Sequence, residues 1–171
     1  MEDTAKEIYL KYYKKVYNYI YGMVLHRETA EDLTSAVFIA VLEDWMKITA
    51  LTEECLAAWL FTVARNKVLN YLQKASTSRE EARSELPETT VNAAGMDNLS
   101  SPETLAGEYI LERLALEERE LLELRYSWGL TNKEIARLGN TNENTVSHRY
   151  QRLLVKCRKI YREYQQDRKK I

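Results

Sequence analysis

The chain is expected to be all-α, with two small helical domains joined by a flexible linker, and three observations lead there. Only five glycines and two prolines interrupt 171 residues rich in Leu, Glu, Lys and Arg, a composition that favours helix throughout. No alternating, β-branched run bounded by turn residues is present, so no sheet is expected. Between Ala75 and Ser101 large apolar residues thin out and acids accumulate. Such a stretch cannot bury enough surface to order itself, so a domain over 1–75 is expected to be tethered through 76–101 to a second over 102–171.

At 45% hydrophobic and 30% charged residues, the composition is that of a core-forming protein. The N-terminus lacks a cationic, then apolar, then small-residue pattern, and no apolar run approaches membrane-spanning length, so a cytoplasmic location without membrane insertion is expected. Cys55 and Cys157 lie far apart without CxxC spacing, and only His26 and His148 could join them as ligands. No metal or other cofactor is expected, and the two thiols read as small, reduced, partly buried side chains. No nucleophile, base and orienting group or phosphate loop stands out, so neither enzymatic activity nor a small-molecule substrate is expected.

In the first helix, apolar residues recur at Tyr9, Tyr13, Val16, Tyr17, Ile20, Tyr21 and Val24, the spacing of an amphipathic helix with a tyrosine-rich inner stripe. A break follows over 26–29, and Thr29 with Asp32 three residues on opens the second helix. There Leu33, Val37, Val41 and Trp45 share one face while Asp32, Ser35, Phe38 and Leu42 lie on a neighbouring one. A helix apolar on both sides is buried between neighbours or offered to a partner helix, and Phe38 is the residue at issue. After a polar stretch over 48–54, a third helix turns Leu56, Trp59, Leu60, Val63, Ala64, Val68 and Leu72 inward. Its other side carries Arg65, Asn66, Lys67, Asn70, Tyr71 and Lys74. Rings and amides interleaved with cations suit single-stranded or distorted nucleic acid, although a solvated face has the same composition.

Beyond the tether, Ser101 as cap and Pro102 in the first turn restart helix through Leu105, Ile110, Leu111 and Leu114. A further helix from Glu117 holds Leu121, Leu122, Leu124 and Tyr126 and stops near Gly129. Thr131 and Glu134 then form a capping box for a short helix with Ile135, Ala136 and Leu138. Turn formers at Gly139, Asn140 and Thr141 follow, and Asn142 caps a second short helix with Val146 and Tyr150 inward. This is the pattern of a helix-turn-helix. Asn144, Ser147, His148, Arg149 and Arg152 face outward, side chains of the kind that reach base edges and phosphates in a major groove. The formal net charge of -1 conceals an asymmetry that favours such a partner: Thr145 to Ile171 holds nine Lys/Arg against two acids, whereas 78–108 holds seven acids against Arg79 and Arg83.

Two blocks of the sequence resemble a known family. Tyr9 to Tyr21 (YLKYYKKVYNYIY), Ala30 to Leu42 (AEDLTSAVFIAVL) and Ala58 to Leu72 (AWLFTVARNKVLNYL) resemble region 2 of extracytoplasmic-function (ECF) sigma factors. LRY at 124–126, GLT at 129–131, EIA at 134–136 and TVSHR at 145–149 resemble their region 4. The resemblance implies a bacterial sigma factor that directs core RNA polymerase to specific promoters and assists promoter opening. It implies docking on the β′ coiled coil through Asp32, Leu33, Val37, Phe38 and Val41, and a contact with the β flap. Minus-10 DNA would be met by Trp59, Arg65, Asn66, Lys67, Asn70, Tyr71 and Lys74, and the minus-35 element by Asn144, Thr145, Ser147, His148, Arg149, Arg152 and Lys156. An anti-sigma factor is a further partner that the family commonly has.

The sequence also departs from the family pattern. Ser35-Ala36 stands where Gln-Glu is usual, Asn70 where an acid is usual, and Gly139-Asn140-Thr141-Asn142 where the turn usually reads Leu-Gly-Ile-Ser. Each large apolar side chain missing from that turn forgoes about 1.5 to 3 kcal/mol of burial, so a loosely packed minus-35 reader is expected. Two other readings share these motifs: a sigma-like decoy that only binds an anti-sigma protein, and a stand-alone helix-turn-helix regulator.

Overall fold

The computed structural model describes residues 2–83 and 102–169, with side chains over 4–77 and 104–169. All regular structure among the described residues is helical. The chain divides into two units, Met1–Met96 and Asp97–Ile171, each with a core of its own.

The N-terminal unit contains α1 (Glu2–Val24), α2 (Arg27–Glu43), α3 (Trp45–Ile48) and α4 (Glu53–Arg83). α1 packs on both α2 and α4, and α2 on α4, so a three-helix bundle forms with α3 as a one-turn link. Its core takes Ile8, Tyr12, Val16, Tyr19, Ile20 and Met23 from α1, Ala30, Thr34, Val37 and Val41 from α2, Ile48 from α3, and Leu56, Leu60, Phe61, Ala64 and Val68 from α4. The inner stripe of α1 is therefore rotated from the expected one, and only Val16 and Ile20 belong to both. Aliphatic residues decide which side turns in. Tyr9, Tyr13, Tyr17 and Tyr21 form a ladder along the flank, with successive ring centroids 4.9, 6.1 and 6.0 Å apart. A flank position lets each ring shed water from one face, and at Tyr17 burial also pushes the phenol pKa up.

α2 starts two residues before the expected cap. Leu25 takes the left-handed region at φ 54, and His26, extended, caps the helix by accepting the Thr29 N–H on Nδ1 at 3.3 Å. Trp45, expected on the face of α2, begins α3 instead. Thr34 is fully buried, and its hydroxyl has no hydrogen-bond partner. α4 continues to Arg83, past residue 75, where the first domain was expected to end. Residues 84–101, including most of the expected tether and the Ser101 cap, lie outside the described residues. Cys55, expected to be partly buried, is exposed, whereas Cys157 is half-buried.

The C-terminal unit contains α5 (Pro102–Glu112), α6 (Leu116–Tyr126), α7 (Asn132–Leu138) and α8 (Glu143–Arg168). Leu114, Leu153 and Ile160 centre its core, with Tyr109, Ile110, Leu111, Leu121, Leu122 and Cys157 packed around them. α8 is not the short helix expected. It runs 26 residues, about 39 Å at 1.5 Å per residue, because its second half closes on α5. Tyr109 seals that contact by donating to Asp167 across 3.3 Å. Gly129, at φ 69, makes the left-handed turn between α6 and α7 that a Cβ would strain.

Candidate nucleic-acid and protein interfaces

Local chemistry builds the helix-turn-helix as its sequence foretells. Thr131 Oγ1 accepts the Glu134 N–H at 3.3 Å, while the Glu134 carboxylate accepts the Thr131 hydroxyl at 2.6 Å and the Thr131 N–H at 2.7 Å, and these last two bonds hold that carboxyl below its ordinary pKa. Asn142 Oδ1 accepts the Thr145 N–H at 2.7 Å and so caps α8. The turn between closes by backbone rather than by apolar side chains. Asn140 takes the left-handed position at φ 47, the Thr141 N–H donates to Ala136 O at 2.9 Å, and the Asn140 N–H donates to Arg137 O at 3.4 Å. These are the paired bonds of a Schellman motif, with asparagine where glycine is commonest. Gly139, the expected stop, sits at φ -89 and needs no special freedom. Buried Ile135, Ala136 and Val146 join the two helices.

On α8, Asn144, His148, Arg149 and Arg152 are exposed and Ser147 is half-buried, which leaves a polar and cationic surface on the helix's first half. Two residues of the expected minus-35 set are engaged elsewhere. The Thr145 hydroxyl donates to Asn142 Oδ1 at 2.9 Å and so belongs to the cap. The Lys156 ammonium sits 2.5 Å from Glu118 Oε2 on α6.

On α4, Trp59, Asn66 and Asn70 follow one another at spacings of seven and four, and so line one strip of helix surface. Trp59 is half-buried, and Asn66 and Asn70 are exposed. Lys67, Tyr71 and Lys74 flank this strip on one side. Arg65, at 100° per residue, falls about a third of a turn to the other side. The seven expected minus-10 residues thus form a central strip with two flanks rather than a single face.

The expected polymerase surface on α2 needs a larger correction. Val37 and Val41 are 0% and 2% exposed, so they hold the bundle together and cannot touch a partner. Phe38 is half-buried, its ring 4.9 Å from Tyr9 and 6.2 Å from Tyr13. Leu33 is also half-buried, and Asp32 is exposed. Leu42, read from the sequence on the second apolar face but not among the docking residues, is 61% exposed, and Ile39 and Met46, which the sequence reading missed, are 54% and 84% exposed. Their three-and-four spacing runs along the side of α2 and α3 away from the core, the available signal being that Ile39 lies half a turn from Val37 and Val41.

One further group in the C-terminal unit is electrostatically unusual. Burial pushes the Glu123 carboxyl up to about 7, only partly offset by the hydrogen bond that the Ser127 hydroxyl donates to it. No helix among the described residues is long and apolar enough to cross a membrane.

A helical bundle with a half-open aromatic and amide strip, together with a unit built on a helix-turn-helix, is the architecture of a two-module nucleic-acid-binding factor. Comparison with known proteins gives the same class. Residues 8–77 match the family Sigma-70 region 2, and residues 108–157 match Sigma-70, region 4. The chain is 25% identical to the ECF RNA polymerase sigma factor SigX of Bacillus subtilis, over 95% of this chain and 88% of that protein. It is 31% identical to the ECF sigma factor BldN of Streptomyces coelicolor, over 84% of this chain and 55% of that protein. Its fold is similar to that of the sigma factor RpoE, solved with the anti-sigma factor NepR from Bartonella quintana, at a TM-score of 0.71 and 18% identity, covering 95% of this chain and 98% of that one.

The chain belongs to the sigma-70 family as an ECF sigma factor. It is therefore a transcription initiation factor rather than an enzyme, one that binds core RNA polymerase and promoter DNA and directs initiation.

Proposed function

We propose the following division of labour for promoter recognition. α8 enters the minus-35 major groove and reads it with Asn144, Ser147, His148, Arg149 and Arg152, the arginines serving phosphates or guanine edges. α4 holds the opened minus-10 strand. Trp59, Asn66 and Asn70 meet unstacked bases, while Arg65 on one side and Lys67, Tyr71 and Lys74 on the other follow the backbone. Opening DNA without ATP requires capture contacts that offset an unstacking cost of roughly a few kcal/mol per step, and a rigid helix bearing a ring and two amides can supply them.

α2 docks on the β′ coiled coil through Asp32, Leu33 and Phe38, extended by Ile39, Leu42 and Met46. The open groove of about 720 Å³ lined by Ala106, Gly107, Ile110, Tyr161 and Tyr164 takes the β flap. The protein works in the cytoplasm, where its polymerase is. An anti-sigma factor is its regulator, in keeping with the complex in which the similar RpoE fold was solved.

The observation that carries this reading is the exposed polar and cationic surface on the first half of α8, presented by a helix-turn-helix whose caps are complete. In vitro transcription with core polymerase and the purified chain tests it. Initiation from promoters that carry both elements supports the reading, and binding to an anti-sigma protein without initiation would support a decoy instead.

A further inference from the structure

Lys156 lies well within reach of a DNA-facing role by sequence, yet its ammonium is committed to Glu118, 38 residues away. That carboxylate is itself fixed, because the Ala115 N–H at the start of α6 donates to the same oxygen at 2.8 Å. At the far end of α6 the Tyr126 hydroxyl meets that of Tyr150 at 3.4 Å. Arg125 stands beside them, its guanidinium 5.1 Å from the Tyr150 ring centroid and donating to Leu130 O at 2.8 Å.

We infer that α6 is a yoke that sets the rotation of the recognition helix, with Glu118 and Tyr126 as its attachment points, and that Lys156 serves this attachment rather than DNA. The inference rests on α8 being the minus-35 reader. The pairing runs antiparallel: the start of α6 holds Lys156 and its end holds Tyr150. These points lie about 9 Å apart along α8 at 1.5 Å per residue. Buried Val146, Leu153 and Ile160 set which side of α8 faces the core, and the two polar attachments fix its rotation within that packing. Rotation matters because neighbouring residues on a helix differ by about 100°, so a modest swivel turns Ser147, Arg149 and Arg152 off their base edges and phosphates. An isolated, partly exposed ion pair is worth little as stability. Its value here is orientation, and Glu118, Lys156 and Tyr126 are positioning residues that determine specificity without touching DNA.

The test uses the full chain bound to core polymerase, with promoter fragments whose minus-35 element is intact or scrambled, across a salt series. Lys156→Gln and Glu118→Gln should each lower discrimination between the fragments by roughly three- to tenfold, and the double variant should lose no more than either single one. The slope of log affinity against log salt should stay at the wild-type value for all three. Tyr126→Phe, which keeps the ring, should lower discrimination in the same sense. Helix content and melting of each variant confirm folding. If Lys156→Gln reduces the salt slope by about 0.9 while Glu118→Gln is silent, Lys156 is a phosphate ligand and the yoke is overturned. Additive losses in the double variant, or unchanged discrimination in all, overturn it as well. If the wild-type holoenzyme does not distinguish the fragments, it is the reading of α8 that fails, and the yoke with it.

Discussion

The ring of Phe38 stands edge-on to that of Tyr9, with 4.9 Å between centroids, and so ties the middle of α2 to the tyrosine ladder of α1. Phe38 is thus divided between two tasks. One edge completes the bundle, and the remainder borders the exposed side of α2 that carries Ile39 and Leu42.

That division predicts different phenotypes for neighbouring residues. Ile39→Glu or Leu42→Glu should abolish pull-down of core polymerase while leaving the melting temperature within a few degrees of wild type, since neither side chain is in the core. Phe38→Ala should weaken both, costing about 1 to 3 kcal/mol in denaturant unfolding, less than a fully buried ring would. Normal polymerase association by Leu42→Glu would remove α2's outer side from the interface.

Arg149 is exposed on the first half of α8, on the surface assigned to DNA. Arg149→Ala should weaken promoter binding by the holoenzyme and lower the salt slope by about 0.9 for each phosphate that the arginine neutralises. An affinity that matches wild type throughout a salt titration would exclude this arginine from the DNA surface.

Thr34 is fully buried in the bundle core, and its hydroxyl finds no partner there. Thr34→Val keeps the shape and removes the stranded group, so stability should rise by about 1 kcal/mol, read as a higher urea midpoint at unchanged m-value. A lower midpoint would show that the hydroxyl is satisfied in solution.

Glu123 makes stability depend on pH in a definite direction. Its folded pKa, about 7, lies above its ordinary 4.5, so the folded chain holds the proton more tightly. The stabilisation is complete below pH 4.5, is lost as pH rises towards 7, and changes no further above that. Glu123→Gln should therefore match wild type near pH 4.5 and exceed it at pH 8 by about 3 kcal/mol, the equivalent of the shift at 1.36 kcal/mol per unit. Unfolding curves at both pH values decide the matter, and an equal gap at each would refute it.

The parts of this molecule written in local chemistry are legible in the sequence. Thr131 and Glu134 form the capping box as read, and Asn142 caps α8 as read, although the partner it takes is Thr145, which the sequence reading had given to DNA. What depends on a distant neighbour is not legible. α2 is apolar nearly all round, so only the positions of α1 and α4 reveal that Val37 and Val41 are spent on the core while Ile39 and Leu42 are left outside. The tyrosines of α1 score as apolar at the right period, yet Ile8, Val16, Ile20 and Met23 decide which side turns in. His26 as a cap follows from the left-handed Leu25 before it, which no residue type announces. Glu118 cannot be matched to Lys156 without the crossing of α6 and α8, and that pairing changes the meaning of a lysine that looks like a DNA ligand.

The three tryptophans are distributed so that the protein carries its own optical reporters. Trp128 is buried in the C-terminal unit, whereas Trp59 lies half-open on the strip of α4 assigned to unstacked bases. Stacking of a base on Trp59 would quench its emission and leave that of Trp128 unchanged. With Trp45→Phe removing the third source, capture of a single-stranded minus-10 oligonucleotide by the chain alone becomes visible as a loss of intrinsic fluorescence down to the residual emission of Trp128.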